Sequence, residues 1–177
     1  MNYYIADLHF SHQNIIQFDK RPYQTIEQMN NDLVNRWNDV ITDRDDVYVL
    51  GDMFWNTDDA PMILQMLKGR IHLIKGNHDK ITSDMMHYFS SISGYAEIND
   101  NGNNLILCHY PIMFYNHSYS PHCWMLAVTY ITPAKTPGSM SGRANSATTS
   151  TALPITAAIS SMSAACCTII PPRPSTS

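Results

Sequence analysis

Ile74-Lys75-Gly76-Asn77-His78-Asp79 begins as an apolar, strand-like run, breaks at a glycine, and then sets an amide, an imidazole and a carboxylate in consecutive positions. Three further apolar runs lie outward from it and end in the same manner. Asn2-Tyr3-Tyr4-Ile5-Ala6 leads into Asp7-Leu8-His9, Val47-Tyr48-Val49-Leu50 into Gly51-Asp52, and Leu105-Ile106-Leu107-Cys108 into His109. Short continuous apolar runs of this kind are the mark of strands buried on both faces. In open α/β sheets, ligands bind outside the carboxyl ends of the strands. Four strand ends tipped with metal-competent side chains therefore predict one polar cluster at a sheet edge, which core packing does not explain.

The segments between these runs supply the helices. Thr25 opens a clear one, with a Thr-x-x-Gln capping box to Gln28 and with Ile26, Met29, Leu33, Val34, Trp37, Val40 and Ile41 at helical spacing. Thr57 is the expected cap of a second helix, with Pro61 in its first turn, Ile63, Leu64 and Leu67 inward, and Gly69 closing it. The stretch 81–89 is expected to be helical with Met85, Met86 and Phe89 in the core, and His87 reads as a surface histidine. Tyr95-Ala96-Glu97-Ile98 and Leu105-Ile106-Leu107-Cys108 flank Asn101-Gly102, a hairpin signal with an expected loop longer than two residues. The order β, α, β, α, β, α and then a hairpin is that of an α/β domain.

The chain has 177 residues, enough for one domain with a sizeable core. Its formal net charge is −4, and no basic cluster marks a nucleic-acid-binding surface. The chemistry begins at Asp7, leaving no room for a cleavable signal ahead of it, and no apolar run approaches membrane-spanning length, so the expected location is the cytoplasm, with no membrane and no protein partner implied. Cys108, Cys123, Cys166 and Cys167 lack CxxC spacing and read as plain thiols.

Asp, His and Asn are oxygen and nitrogen donors without thiolate, a set suited to Mn, Fe, Zn or Mg. A single carboxylate placed between two pairs of ligands can bridge two cations, and Asp52 occupies that place. Two such ions clamp a phosphoryl oxygen and bring the pKa of a water from 15.7 toward about 7. On this reading His78 donates a proton to the leaving group, and Asp79 orients His78. Arg21 and Arg44 are the candidate phosphate contacts. Taken singly, Asp-x-His and Gly-Asp are common, and a lone His109 reads as a satisfied core histidine; Gly-Asn-His-Asp is the specific signal.

In this order the motifs resemble those of the calcineurin-like metallophosphoesterases, in particular the small single-domain bacterial and phage members, over residues 1 to about 126. The family pattern runs Asp-x-His, Gly-Asp, Gly-Asn-His-Asp/Glu, His and a closing Gly-His-x-His. The resemblance implies an α/β sandwich of two sheets flanked by helices and hydrolysis of a phosphomonoester or phosphodiester. It also implies two divalent metal ions (Mn, Fe, Zn or similar): Asp7, His9 and Asp52 hold the first, Asp52, Asn77 and His109 the second, and His78 is the catalytic acid.

The closing motif is missing. Where Gly-His-x-His should stand, the chain reads Ala127-Val128-Thr129-Tyr130-Ile131, and the composition changes at the same place. All 15 acidic residues lie at or before Asp100 and all eight histidines at or before His122. Beyond Tyr130 the chain is rich in Ala, Ser, Thr and Pro, with only Lys135, Arg143 and Arg173 charged, too little apolar bulk to order a core. Ala-Val-Thr-Tyr-Ile can be encoded GCG GTC ACG TAC ATA, which read from its third base gives Gly-His-Val-His. The expectation is therefore a metallophosphoesterase domain over 1–126, incomplete at its carboxyl end, followed by an out-of-frame, poorly ordered tail over 127–177. Nearby His117 and His122 read as loop histidines rather than substitute ligands. An alternative is a catalytically inactive domain kept as an interaction module, which metal content separates from the enzyme. Nucleic acid enters only as a substrate, its phosphates met by the metals.

Overall fold

The computed structural model describes residues 1–128. Strand β1 (Asn2–Ile5) is followed by a single helical turn, α1 (Ile15–Phe18), and by the long helix α2 (Ile26–Val40). Then come β2 (Asp46–Val49), α3 (Ala60–Met66) and β3 (Arg70–Ile74). A 3₁₀ turn, Met86–Tyr88, leads into β4 (Phe89–Ser93). The remaining strands are β5 (Tyr95–Asp100), β6 (Asn103–Cys108) and β7 (Cys123–Leu126). Strands β1-β2-β3-β4 form a parallel sheet, and β5-β6-β7 form a second sheet in which β5 and β6 are antiparallel and β7 runs parallel to β6. This is the α/β architecture of two sheets with helices that the motif order implied.

Strand alternation explains the two cores. Ile5, Val47, Val49, Ile71 and Leu73 point to one face of the parallel sheet, where Met29, Leu33, Val34 and Trp37 of α2 and Ala60, Ile63 and Leu64 of α3 cover them. Tyr4, Leu50 and Ile74 point to the other face and meet Leu105, Leu107 and Val128. Where the parallel sheet is covered on both faces its strands are apolar, as in Tyr3-Tyr4-Ile5, Val47-Tyr48-Val49-Leu50 and Leu73-Ile74, whereas the edge strand β4 carries Ser90, Ser91 and Ser93. Helix α2 starts as expected: the Thr25 hydroxyl accepts from the Gln28 amide, while the Gln28 side chain turns back to the Gln24 amide. Helix α3 differs by two residues, since Asp59 rather than Thr57 precedes it, with Pro61 in the first turn.

Three elements depart from the sequence expectation. The stretch 81–89 is not a helix; Met85 is buried, Met86 is exposed, and Phe89 starts β4 alongside β3. Without β4 the polar groups along that side of β3 would lie unpaired, and satisfying them outweighs a weak local helical pattern. The hairpin loop is two residues long, because Asp100 pairs with Asn103; Asn101 and Gly102 take φ of 50° and 80°, the double left-handed conformation that suits a tight hairpin. Strand β7 has too few residues to stand out by pattern and forms against β6, its register pairing Leu105 with Trp124 and Leu107 with Leu126. Among the described residues no helix is long and apolar enough to cross a membrane. The missing closing motif from Thr129 onward, and the tail expected over 127–177 beyond Val128, lie outside the described residues.

Candidate metal centre

The loops after β1 and β2 are zipped together by backbone hydrogen bonds. Asp7 N donates to Gly51 O at 3.1 Å, His9 N to Asp52 O at 2.9 Å, Phe10 N to Met53 O at 2.9 Å, and Trp55 N to Phe10 O at 3.0 Å. Within this zipper Asp7, His9 and Asp52 adopt φ of 53°, 52° and 53°, a left-handed conformation that costs a side-chain-bearing residue energy and persists only where its surroundings enforce it. Two buried side chains enforce it here. The Arg21 guanidinium donates to Leu8 O at 2.8 Å and to Asp7 O at 2.9 Å. The Asp79 carboxylate accepts from the amides of Asp52 (2.9 Å), Met53 (2.8 Å) and Gly76 (2.7 Å), tying the loop after β3 to the loop after β2.

Both residues correct the sequence expectation. Arg21, expected to bind substrate phosphate, is buried and spends its donors on two backbone carbonyls beneath the site and on the Asp19 carboxylate. Asp79, expected to orient His78, holds backbone amides instead. A short acidic side chain after a tight turn reaches amides more readily than its neighbour's ring. Glycine is required where the loops cross. A Cβ on Gly76 would overlap the Asp52 carboxylate and stand 2.6 Å from its amide nitrogen, and a Cβ on Gly51, whose φ is +91°, would overlap the His109 ring and stand 2.7 Å from Gly76 Cα.

The donors converge on Asp52. Its Oδ2 lies 3.9 Å from His9 Nε2, 3.9 Å from His78 Nε2 and 3.7 Å from His109 Nε2, while His9 Nε2 is 3.9 Å from Asp7 Oδ1. These spacings are too long for hydrogen bonds and fall within twice a metal–ligand distance of roughly 2.1 Å. Among the described residues, ligand atoms of Asp7, His9 and Asp52 all lie within 4.8 Å of one another. His109 Nδ1 sits 2.8 Å from Leu50 O, an acceptor only, so Nδ1 carries a proton and Nε2 is the ring nitrogen turned toward the site, 3.0 Å from Asn77 Oδ1. Tyr110 also donates to Asn77 Oδ1, at 2.6 Å.

Electrostatics point the same way. Burial, and then the charge of Asp52, push the Asp7 carboxyl up to about 6. Burial takes His9 down to about 4 against the pull of Asp52, leaving a neutral imidazole. Two buried carboxylates beside the neutral His9 imidazole, with further oxygen and nitrogen donors around them, form a set that fits a divalent cation.

The structure thus brings Asp7, His9, Asp52, Asn77, His78 and His109 to one place, while the other candidate phosphate contact, Arg44, lies in the turn before β2 with its carbonyl bonded to Arg70. Sequence reading overlooked His12, whose Nδ1 is 3.4 Å from His9 Nδ1, and Trp55, whose ring lies 4.6 Å from that of His78. It also overlooked Tyr110. His12 follows His9 by one turn, the one local signal available; the other two become neighbours of the site only through the fold.

Fold and donor set together define an α/β sandwich with a candidate metal site at the carboxyl edge of the parallel sheet. The calcineurin-like phosphoesterase family model matches residues 3–133, and the chain belongs to that family. It is 36% identical over 120 residues to the uncharacterized protein MJ1445 of Methanocaldococcus jannaschii, covering 66% of this chain and 62% of that protein. It is similar to the crystal structure of a protein of unknown function, AQ665, from Aquifex aeolicus, with a TM-score of 0.55 and 33% identity, covering 63% of this chain and 61% of that one. The chain therefore spans about three fifths of the length of these relatives.

Proposed function

We propose that the chain is a hydrolase of a phosphomonoester or phosphodiester that works with two divalent metal ions, Mn, Fe, Zn or similar, sharing Asp52. The observation that carries this reading is the position of Asp52 Oδ2, under 4 Å from Nε2 of three histidines that arrive on three separate loops. Asp7 and His9 hold one ion with Asp52, and Asn77 and His109 the other. When bound, the ions supply Lewis acidity toward a phosphoryl oxygen and acidify the attacking water. His109 is held in the ligating tautomer by Leu50 O. His78 stands at the mouth with its amide bonded to Asp52 Oδ1 at 3.0 Å, and hands a proton to the leaving oxygen.

We further read the region after Leu126 as out of frame, so the chain as written lacks two histidine donors and is impaired. Two measurements test the proposal. Metal content of the purified chain, with hydrolysis of p-nitrophenyl phosphate and its bis ester before and after chelation, is expected to give activity that chelation removes and Mn restores. A folded chain that takes up no metal and hydrolyses neither ester overturns it and leaves the interaction-module reading. Resequencing codons 120 to 135 tests the frame: a one-base change that restores Gly-His-Val-His should raise activity by at least about 10- to 100-fold, the scale of a lost ligand support.

A further inference from the structure

Tyr110 stands at the half of the centre that His109 completes, and neither the ligand set nor the proton transfer uses it. It follows His109 on the loop after β6, is 53% exposed, and meets the His109 ring edge-on, with centroids 4.6 Å apart and planes at 65°. Its hydroxyl reaches across to the loop after β3 and lies 2.6 Å from Asn77 Oδ1. That separation is ordinary for an O–H···O bond and short for an N–H···O bond, which marks Tyr110 as donor to the amide oxygen. Among the described residues no hydrogen bond is made by Asn77 Nδ2, so nothing on that side fixes which end of the amide faces the centre.

Resting on the phosphoesterase reading, we infer that Tyr110 is a positioning residue whose hydroxyl holds Asn77 with its oxygen, and not its nitrogen, toward the second metal position. The two ends of an amide are nearly equal in size and opposite in chemistry: the oxygen can ligate a cation and the NH2 group cannot. His109 pulls the wrong way. With Nδ1–H donated to Leu50 O, a neutral His109 ring has an acceptor at Nε2, 3.0 Å from Asn77, and an NH2 group turned toward it would donate to it. That reversed amide would occupy both ligands of this position at once. The Tyr110 hydroxyl opposes the reversal by donating to one lone pair of Oδ1, and the other lone pair stays open to a cation. Partners of this kind orient metal ligands, and losing one typically costs roughly 10- to 100-fold in metal affinity.

Two variants separate orientation from packing. Tyr110→Phe keeps the ring on His109 and loses the hydroxyl, while Asn77→Asp offers two oxygens and so has no wrong orientation to take. Calorimetric titration of the metal-free full chain with MnCl2 follows the binding step that His109→Ala removes. Tyr110→Phe is expected to weaken that step about tenfold, to leave the other step within about twofold, and to cause no loss when made in Asn77→Asp. No weakening, or an equal loss in both backgrounds, overturns the inference, since a role in packing or folding would act whichever side chain stands at position 77. A second arm needs no metal. In EDTA the Asn77 side-chain amide protons, assigned by their absence in Asn77→Asp, are read by NOE to the His109 ring; weak contacts are expected in the wild-type chain and strong ones in Tyr110→Phe. Contacts already strong in wild type, or unchanged by Tyr110→Phe, overturn the inference even if phosphate esters are hydrolysed. Contacts that strengthen as expected in a chain that takes up no metal support the orientation and remove the hydrolase reading instead.

Discussion

The parallel sheet delivers Asp7, His9, Asp52, Asn77 and His78 from three of its own loops, whereas the sheet β5-β6-β7 delivers His109 alone. The first group is locked by hydrogen bonds that stay within one sheet edge, through the zipper from Asp7 to Trp55 and the carboxylate of Asp79. His109 reaches the same point only because Leu105, Leu107 and Val128 dock on Tyr4, Leu50 and Ile74. Its own anchors are the contact with Leu50 O and the bond it accepts from Val128 N at 3.0 Å. The second sheet is also the less covered, with Tyr95 and Trp124 exposed. Five of the six side chains are therefore preorganised by backbone geometry, and the half of the centre that His109 completes also depends on two sheets staying in contact.

The largest expected effect comes from Asp52→Asn, the residue both halves share. We predict loss of both metal ions and a fall in activity of more than about 100-fold, read by metal analysis and ester hydrolysis. Retention of one equivalent of metal would show that the two halves do not share this carboxylate. His109→Ala should separate them instead, leaving the ion at Asp7 and His9 and removing the other; equal loss of both ions would mean that the halves are not independent.

Asp79→Ala tests the zipper. It strands three amides, and at about 1 kcal/mol or more for each lost bond the expected destabilisation is about 3 kcal/mol, seen as a lowered denaturation midpoint. Activity should fall with it if preorganisation matters, and an unchanged midpoint would refute the role assigned to this carboxylate. Arg21→Met, which removes the donors to Asp7 O and Leu8 O, should weaken metal binding without changing the preference among phosphate esters. A selective loss for one ester class would return Arg21 to the substrate.

The smallest effect changes sign with conditions. Asp7 is held up to about 6 from 3.8, so its protonated form stabilises the fold below about 3.8, and that contribution is lost as pH rises through about 6. At pH 8 in EDTA, Asp7→Asn should therefore raise stability by up to about 2 kcal/mol. With saturating Mn the same substitution should lower the melting temperature relative to wild type, because binding energy is lost. Two melting curves for each protein decide it, and a destabilised variant in EDTA would mean that the ionised carboxylate is not a burden on the metal-free fold.

What the sequence by itself determined is the set of strand ends and their chemistry. A strand buried on both faces must be apolar throughout, so the polar residues that follow Ala6, Gly51, Gly76 and Cys108 stand out, and helix α2 declares itself by its cap and period. Tertiary structure alone decided the rest. Pairing with β3 made a strand of residues 89–93, and docking of the second sheet brought His109 to 3.7 Å from Asp52. The crossing of separate loops turned Arg21 and Asp79 away from chemistry and toward the backbone, and set Trp55 beside His12 and His78. Those roles depend on which amides, carbonyls and rings lie within reach, a property of distances across the fold that no local pattern encodes.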